Sequence, residues 1–193
     1  NSVEQVDVLY ERALNIAKGA ALMTGTRYET KLISGIYEIL VNRTGAEIMQ
    51  NNLESLGEIS YSKDEIAYAN AILKEAGKPQ LGINGKVTPL QETLPAQGGS
   101  TDVGDVSQVV PTIRMSATVA ANGGPWHSWA VVACTGMSIG HKGMIYAAKA
   151  LSMTMADLYK NPKLVEAVKE DYQKNKKSEP YKPRILPGPP SLE

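Results

Sequence analysis

No histidine precedes position 127, a single cysteine stands in the whole chain, and no apolar run approaches the length of a membrane span. Each shortage excludes something. One thiol, Cys134, rules out an intramolecular disulfide and is compatible with a reducing compartment, which makes a cytoplasmic location the expectation. It has no histidine or cysteine at a diagnostic spacing, which argues against a catalytic thiol. Without about 20 consecutive apolar residues, or a charged and apolar leader, no membrane-embedded segment is expected. Net charge is also lacking, because twenty basic residues cancel twenty acidic ones. No net field therefore speaks for nucleic acid or an anionic membrane as partner.

What is present is an ordinary globular composition, 42% hydrophobic over 193 residues. That is enough to bury a substantial core as one domain, or as one domain and a small piece of another. The chain begins without Met, directly in a helical pattern, and its Leu192-Glu193 end reads as a cloning scar, so the expectation is a piece of a longer protein.

Val3, Val6, Tyr10, Ala13, Leu14, Ala17 and Ala21 recur at helical spacing, and the pattern stops near Gly25. From Arg27 to Val41 the residues turn β-branched and aromatic, with Tyr28, Thr30 and Leu32 alternating, which predicts a strand with Gly35 as a bulge. Thr44 with Glu47 and Ser62 with Glu65 have capping-box spacing and predict two helices, ending at Gly57 and Gly77.

Lys78 to Gln97 reads as a long loop with a short strand near Val87. Val109 to Val119, with Ile113, Met115, Ala117 and Val119 alternating, predicts a second strand. A long helix with Ser138 as cap carries the stripe Met144, Ala148, Leu151, Met155 and Leu158, read as core. Asn161-Pro162 opens a last helix through Asn175, and from Ser178 the prolines imply an extended tail.

Two stretches carry candidate chemistry. Gly98-Gly99-Ser100-Thr101-Asp102-Val103-Gly104-Asp105 combines a permissive backbone with two hydroxyls and two carboxylates. It could aim backbone amides at an anion, or be a capped turn entering a short helix at Asp102. Asp102 and Asp105 could form an acid/base pair, although a spacing of three suits capping carboxylates better. Downstream, His127 stands between Trp126 and Trp129 after a Gly-Gly-Pro turn. It could ligate a metal, move protons, or be a hydrogen-bonded ring buttressed by aromatics. His141, near a helix start, is the plainer competitor; buried there it would be neutral.

Taken together, Gly19-Ala20-Ala21-Leu22-Met23-Thr24-Gly25-Thr26, Gly99 through Ser107, Val110-Pro111-Thr112, His127-Ser128-Trp129 and His141-Lys142-Gly143-Met144 resemble a known family. It is the aminobenzoyl-glutamate hydrolase branch of the dinuclear-metal aminoacylases and carboxypeptidases, matched in its C-terminal part. The resemblance implies an α/β fold: the C-terminal part of a mixed-sheet zinc-peptidase-like catalytic domain, preceded by the last helix and strand of a lid. In that division residues 1–42 end the lid and dimerisation domain, 43–177 continue the catalytic domain, and 178–193 form the proline-rich tail.

By the same resemblance Gly99, Ser100 and Thr101 approach the substrate and His127 is a metal ligand. The general base and the other ligands are expected upstream, so no catalytic residue is expected in this chain. The implied activity is hydrolysis of the amide of a small N-acyl amino acid or dipeptide by a metal-activated water. The intact protein would hold two zinc or manganese ions, and this piece by itself none, since a catalytic zinc needs about three protein ligands. A second copy or a related hydrolase subunit is the expected protein partner.

Two other readings compete. One is a non-catalytic ligand-binding or subunit-interaction module on the same scaffold, distinguished by whether a His-x-Asp and paired glutamates lie upstream. The other is an anion-binding protein using only the glycine loop, in which Gly99→Val would abolish protection by phosphate.

Overall fold

The structure, a computed structural model, describes residues 2–92, 99, 101–176, 178, 180–185 and 188. Among these it contains the helices α1 (Val3–Thr24), α2 (Arg43–Leu56), α3 (Lys63–Glu75), α4 (Val103–Val109), α5 (Trp129–Thr135), α6 (Ser138–Lys160) and α7 (Pro162–Asn175). No strand occurs among the described residues. The expected α/β, mixed-sheet architecture is therefore overturned, and with it the strands expected at 27–41, near Val87 and at 109–119. The alternation at 113–119 reports half burial, whereas Tyr28, Thr30 and Leu32 are exposed. A sheet needs, in addition, a row of backbone partners on a neighbouring strand. The Tyr37, Glu38 and Leu40 backbone instead bonds to helix side chains, and the Thr118 carbonyl accepts from the Tyr61 hydroxyl at 3.2 Å.

The chain divides into two compact units. The first is formed by Asn1–Asn42, Glu92–Thr112 and Glu170–Glu193. Helix α1 ends where the sequence places its end: Gly25 adopts φ 65°, and its amide reaches back to the carbonyls of Ala21 and Leu22. Only Val3 of this helix is buried; Val6 and Tyr10, from the expected stripe, are exposed.

Helix α4 accounts for the missing strand. The Tyr37 amide donates to Asp105 Oδ2 at 3.2 Å, the Leu40 amide donates to Ser107 Oγ at 2.8 Å, and the Glu38 carbonyl accepts from Gln108 Nε2 at 2.9 Å. Polar side chains of a helix thus satisfy the backbone groups that a ladder would otherwise take. Gly104 permits this approach, because a Cβ there would lie 1.9 Å from the Tyr37 carbonyl oxygen. The tail closes the same unit through Tyr181, whose hydroxyl donates to Asp105 Oδ1 at 2.9 Å and whose ring packs on Tyr37. The Asp105 carboxylate, followed by burial, raises the Tyr181 pKa.

The second unit comprises Arg43–Gln91 and Ile113–Lys169. Its core gathers Ala69 and Leu73 of α3 with Ala121, Cys134 and Ile139, packed by Tyr61, Tyr68 and Ile83. Cys134 is fully buried and free, a small apolar filler.

The capping box that opens α3 forms as expected: the Glu65 amide donates to Ser62 Oγ at 3.2 Å and the Ser62 amide to Glu65 Oε2 at 2.6 Å. Helix α2 starts one residue before Thr44, with the Glu47 carboxylate accepting from Arg43 Nε at 3.1 Å. It ends at Gly57, which has φ 72°.

Helix α6 departs from the expected burial. Its apolar stripe of Met144, Ala148, Leu151 and Met155 is exposed, and its small residues face inward instead. Gly140, Gly143, Ala150 and Thr154 are buried, and a Cβ on Gly143 would meet the Thr118 carbonyl oxygen at 2.2 Å. Close backbone approach decides which face is covered, since large side chains would hold the elements apart. Asn52 of α2 completes this seam, donating to Thr154 Oγ1 at 3.1 Å and Asp157 Oδ2 at 2.8 Å.

Candidate functional site

The glycine loop belongs to the first unit. Gly99 has φ 135°, a conformation reserved for glycine, and open space where a Cβ would stand. Gly98 and Ser100 lie outside the described residues. Thr101 is half buried and starts the turn into α4: its carbonyl accepts from the Gly104 amide at 3.1 Å, and its hydroxyl oxygen lies 3.4 Å from the Val103 amide. The short helix expected at Asp102 is therefore present. Asp105 serves as an anchor for Tyr37 and Tyr181, not as an acid/base partner of Asp102.

His127 belongs to the second unit, just before α5. Its φ of 57° is the only left-handed value at a non-glycine among the described residues. Such a conformation costs about 1–2 kcal/mol for an ordinary side chain and is a reason to look for function at the residue. The turn around it is over-determined. Gly123 supplies φ 77°, the Gly124 amide donates to the Ala121 carbonyl at 3.2 Å, and Ser128 Oγ donates to the Pro125 carbonyl at 2.6 Å. The His127 side chain is exposed and has no hydrogen-bond partner among the described residues. Trp126 and Trp129 are 69% and 54% exposed, so the aromatics flank the ring without burying it.

A metal implied by the resemblance does not find a complete donor set here. Among the described residues no group of three histidine, cysteine or acidic side chains is placed to hold an ion. His127 offers one ring nitrogen where a catalytic zinc needs about three protein ligands.

The pairing of Glu65 with Lys142 and Ser138 escapes the sequence reading. Lys142 Nζ donates to Glu65 Oε2 at 2.6 Å and to the Ser60 carbonyl at 2.9 Å, and Ser138 Oγ donates to Glu65 Oε1 at 2.6 Å. Glu65, 10% exposed, thus caps α3 and ties it to the first turns of α6. The Lys142 ammonium, the Ser138 hydroxyl and the Ser62 amide hold its carboxyl down at about 2. Burial and the Glu65 charge in turn raise the Tyr61 pKa.

A carboxyl held below its ordinary value of 4.5 contributes stability that is complete above that value and is lost as pH falls toward 2. Glu65→Gln is therefore expected to lower stability by about 1 kcal/mol at neutral pH, since its lysine partner is partly exposed. The variant should also flatten the acid limb. Urea midpoints from pH 7 to pH 2 check this, and parallel curves for both proteins would refute it.

Comparison with known proteins places the chain's similarity among hydrolases and dipeptidases. It is 32% identical over 92% of its length to a p-aminobenzoyl-glutamate hydrolase subunit from Escherichia coli (strain K12), covering 43% of that protein. It is 27% identical over 89% of its length to the Xaa-Arg dipeptidase of Homo sapiens and 26% identical over 89% to that of Mus musculus, covering 33% and 34% of them. The chain thus spans less than half the length of these relatives. No family model and no solved structure matches it. The resemblance drawn from the motifs holds at this level. None of the described helices is long and apolar enough to cross a membrane.

Proposed function

We propose that the chain supplies part of a metal-dependent amidohydrolase that cleaves the amide bond of N-acyl amino acids such as p-aminobenzoyl-glutamate. The similarity to the Escherichia coli hydrolase subunit over 92% of the chain carries this reading. The exposed, unpartnered imidazole of His127 on a left-handed backbone supports it, as does the open glycine backbone at Gly99. In this reading His127 is one ligand of a divalent ion, zinc or manganese, whose chemistry is to activate a water for attack on the amide carbonyl. Gly99, Ser100 and Thr101 receive the substrate. The general base and remaining ligands come from other parts of the intact protein; this chain covers 43% of the Escherichia coli relative.

The exposed Trp126, Trp129 and Val132 favour a second reading, a subunit-interaction module that binds without turnover. A single assay separates the two. The full protein is incubated with p-aminobenzoyl-glutamate and with an Xaa-Arg dipeptide, before and after chelation and after adding back zinc or manganese. Turnover that chelation stops and metal restores is the expected result. Saturable binding without turnover supports the interaction module, and neither turnover nor binding overturns both.

A further inference from the structure

The second unit contains a cleft of ≈ 500 Å³ between the end of α2, the connection that follows it, and the N-terminal half of α6. None of the residues carried by the family resemblance as ligand or substrate contacts lines it. We propose that this cleft binds a small organic monocarboxylate with an apolar body.

Its volume falls in the range of roughly 300–1,000 Å³ typical of small-molecule sites. The cleft is also held open by fixed groups. Tyr146 places its hydroxyl 3.1 Å from the Leu53 carbonyl and 2.8 Å from the Gly57 carbonyl, pinning α6 to the end of α2. On the other side Lys142 gives two of its three N–H donors to Glu65 and the Ser60 carbonyl, and Ser138 gives its hydroxyl proton to Glu65, which stiffens that wall.

What remains for a ligand is well defined. Leu56, Ile59 and Ile145 give an apolar surface, and Ile145 is 52% exposed. Two cationic or potentially cationic side chains, His141 and Lys149, have no partner among the described residues. They stand eight residues apart on one helix face, about 12 Å along the axis, so a single anionic group meets one of them. Lys149 offers an ammonium group with three N–H donors. Glu58 is the one acidic residue on the lining, and it makes no ion pair with Lys149, whose ammonium is left to a ligand. A polyanion such as phosphate would face that carboxylate with too little positive charge against it. A single carboxylate on Lys149, with a hydrocarbon body on Leu56, Ile59 and Ile145, satisfies both halves of the lining.

Methyl NMR of the full chain tests this, with Ile59 and Ile145 as reporters and hexanoate as the probe. The expected result is saturable shifts at both isoleucines and affinity about tenfold weaker in Lys149→Gln, the size of one lost charge-assisted hydrogen bond. Lys149→Arg should recover most of that affinity. Hexan-1-ol and inorganic phosphate should shift these methyls weakly or not at all. Lys149 is exposed, so its variants retain the fold, which the remaining methyl spectrum verifies. Failure of hexanoate to saturate, full affinity in Lys149→Gln, or equal binding of hexan-1-ol would overturn the proposal. None of these outcomes depends on amide hydrolysis.

Discussion

Gly104→Ala is expected to destabilise the first unit by about 3 kcal/mol, the upper part of the range for forcing a methyl into a filled space. The added Cβ would stand 1.9 Å from the Tyr37 carbonyl oxygen and 2.9 Å from its carbon, and neither atom belongs to a side chain that could swing away. Relief requires α4 to back off from residues 37 and 38. That movement weakens the bonds from Tyr37, Glu38 and Leu40 to Asp105, Gln108 and Ser107 together.

The control is Gly19→Ala in α1, where nothing lies within 4 Å of the new methyl. It should stabilise by up to about 1 kcal/mol, the helix-propensity difference between the two residues. Opposite signs for the same chemical change, read from denaturant midpoints, isolate the close approach as the cause. An unchanged midpoint for Gly104→Ala would mean that α4 does not rest on this backbone.

His127→Ala is expected to cost the full protein at least about a hundredfold in turnover, more than the loss of an outer-shell partner of a metal typically costs. Bound metal should fall with it. The left-handed backbone supplies a second axis. His127→Gly removes the same imidazole while relieving the strained φ, so stability should hold or rise by up to about 1 kcal/mol as activity falls. A merely structural histidine would behave otherwise, since its removal would lower stability and activity together. Full metal content and full activity in either variant would remove His127 from the proposed function.

The parts of the fold legible in the sequence are those set by local chemistry. Ser62 with Glu65, Gly25, Gly57 and Pro162 mark helix ends through neighbouring backbone groups, and the structure ends its helices beside them. Wherever a distant partner decides, the sequence is ambiguous. Alternation at 113–119 records half burial without naming a neighbour, and alternation at 28–32 records none, since Tyr28, Thr30 and Leu32 are exposed. The α6 stripe is apolar on one face and small on the other, and only the approach of the Thr118 carbonyl to Gly143 selects the small face for burial. Seventy-seven residues separate Glu65 from Lys142, so no local spacing could reveal their pairing.

The candidate chemistry divides the same way. His127 is legible as a residue type after a Gly-Gly-Pro turn, whereas its strained backbone and open ring are properties of the folded turn. Asp105 reads as a possible acid and proves to be a two-sided anchor, because the partners it serves come from residues 37 and 181.

The arrangement of α4 against residues 37–40 also changes where pairing information resides. In a sheet the bonds between neighbours are made by the main chain, so most residue types can occupy a position without altering the partner. Here Asp105, Ser107 and Gln108 each name one atom of the facing segment. A carboxylate, a hydroxyl and an amide in that order specify the alignment as a key specifies a lock, and exchanging any one of them would change the instruction itself.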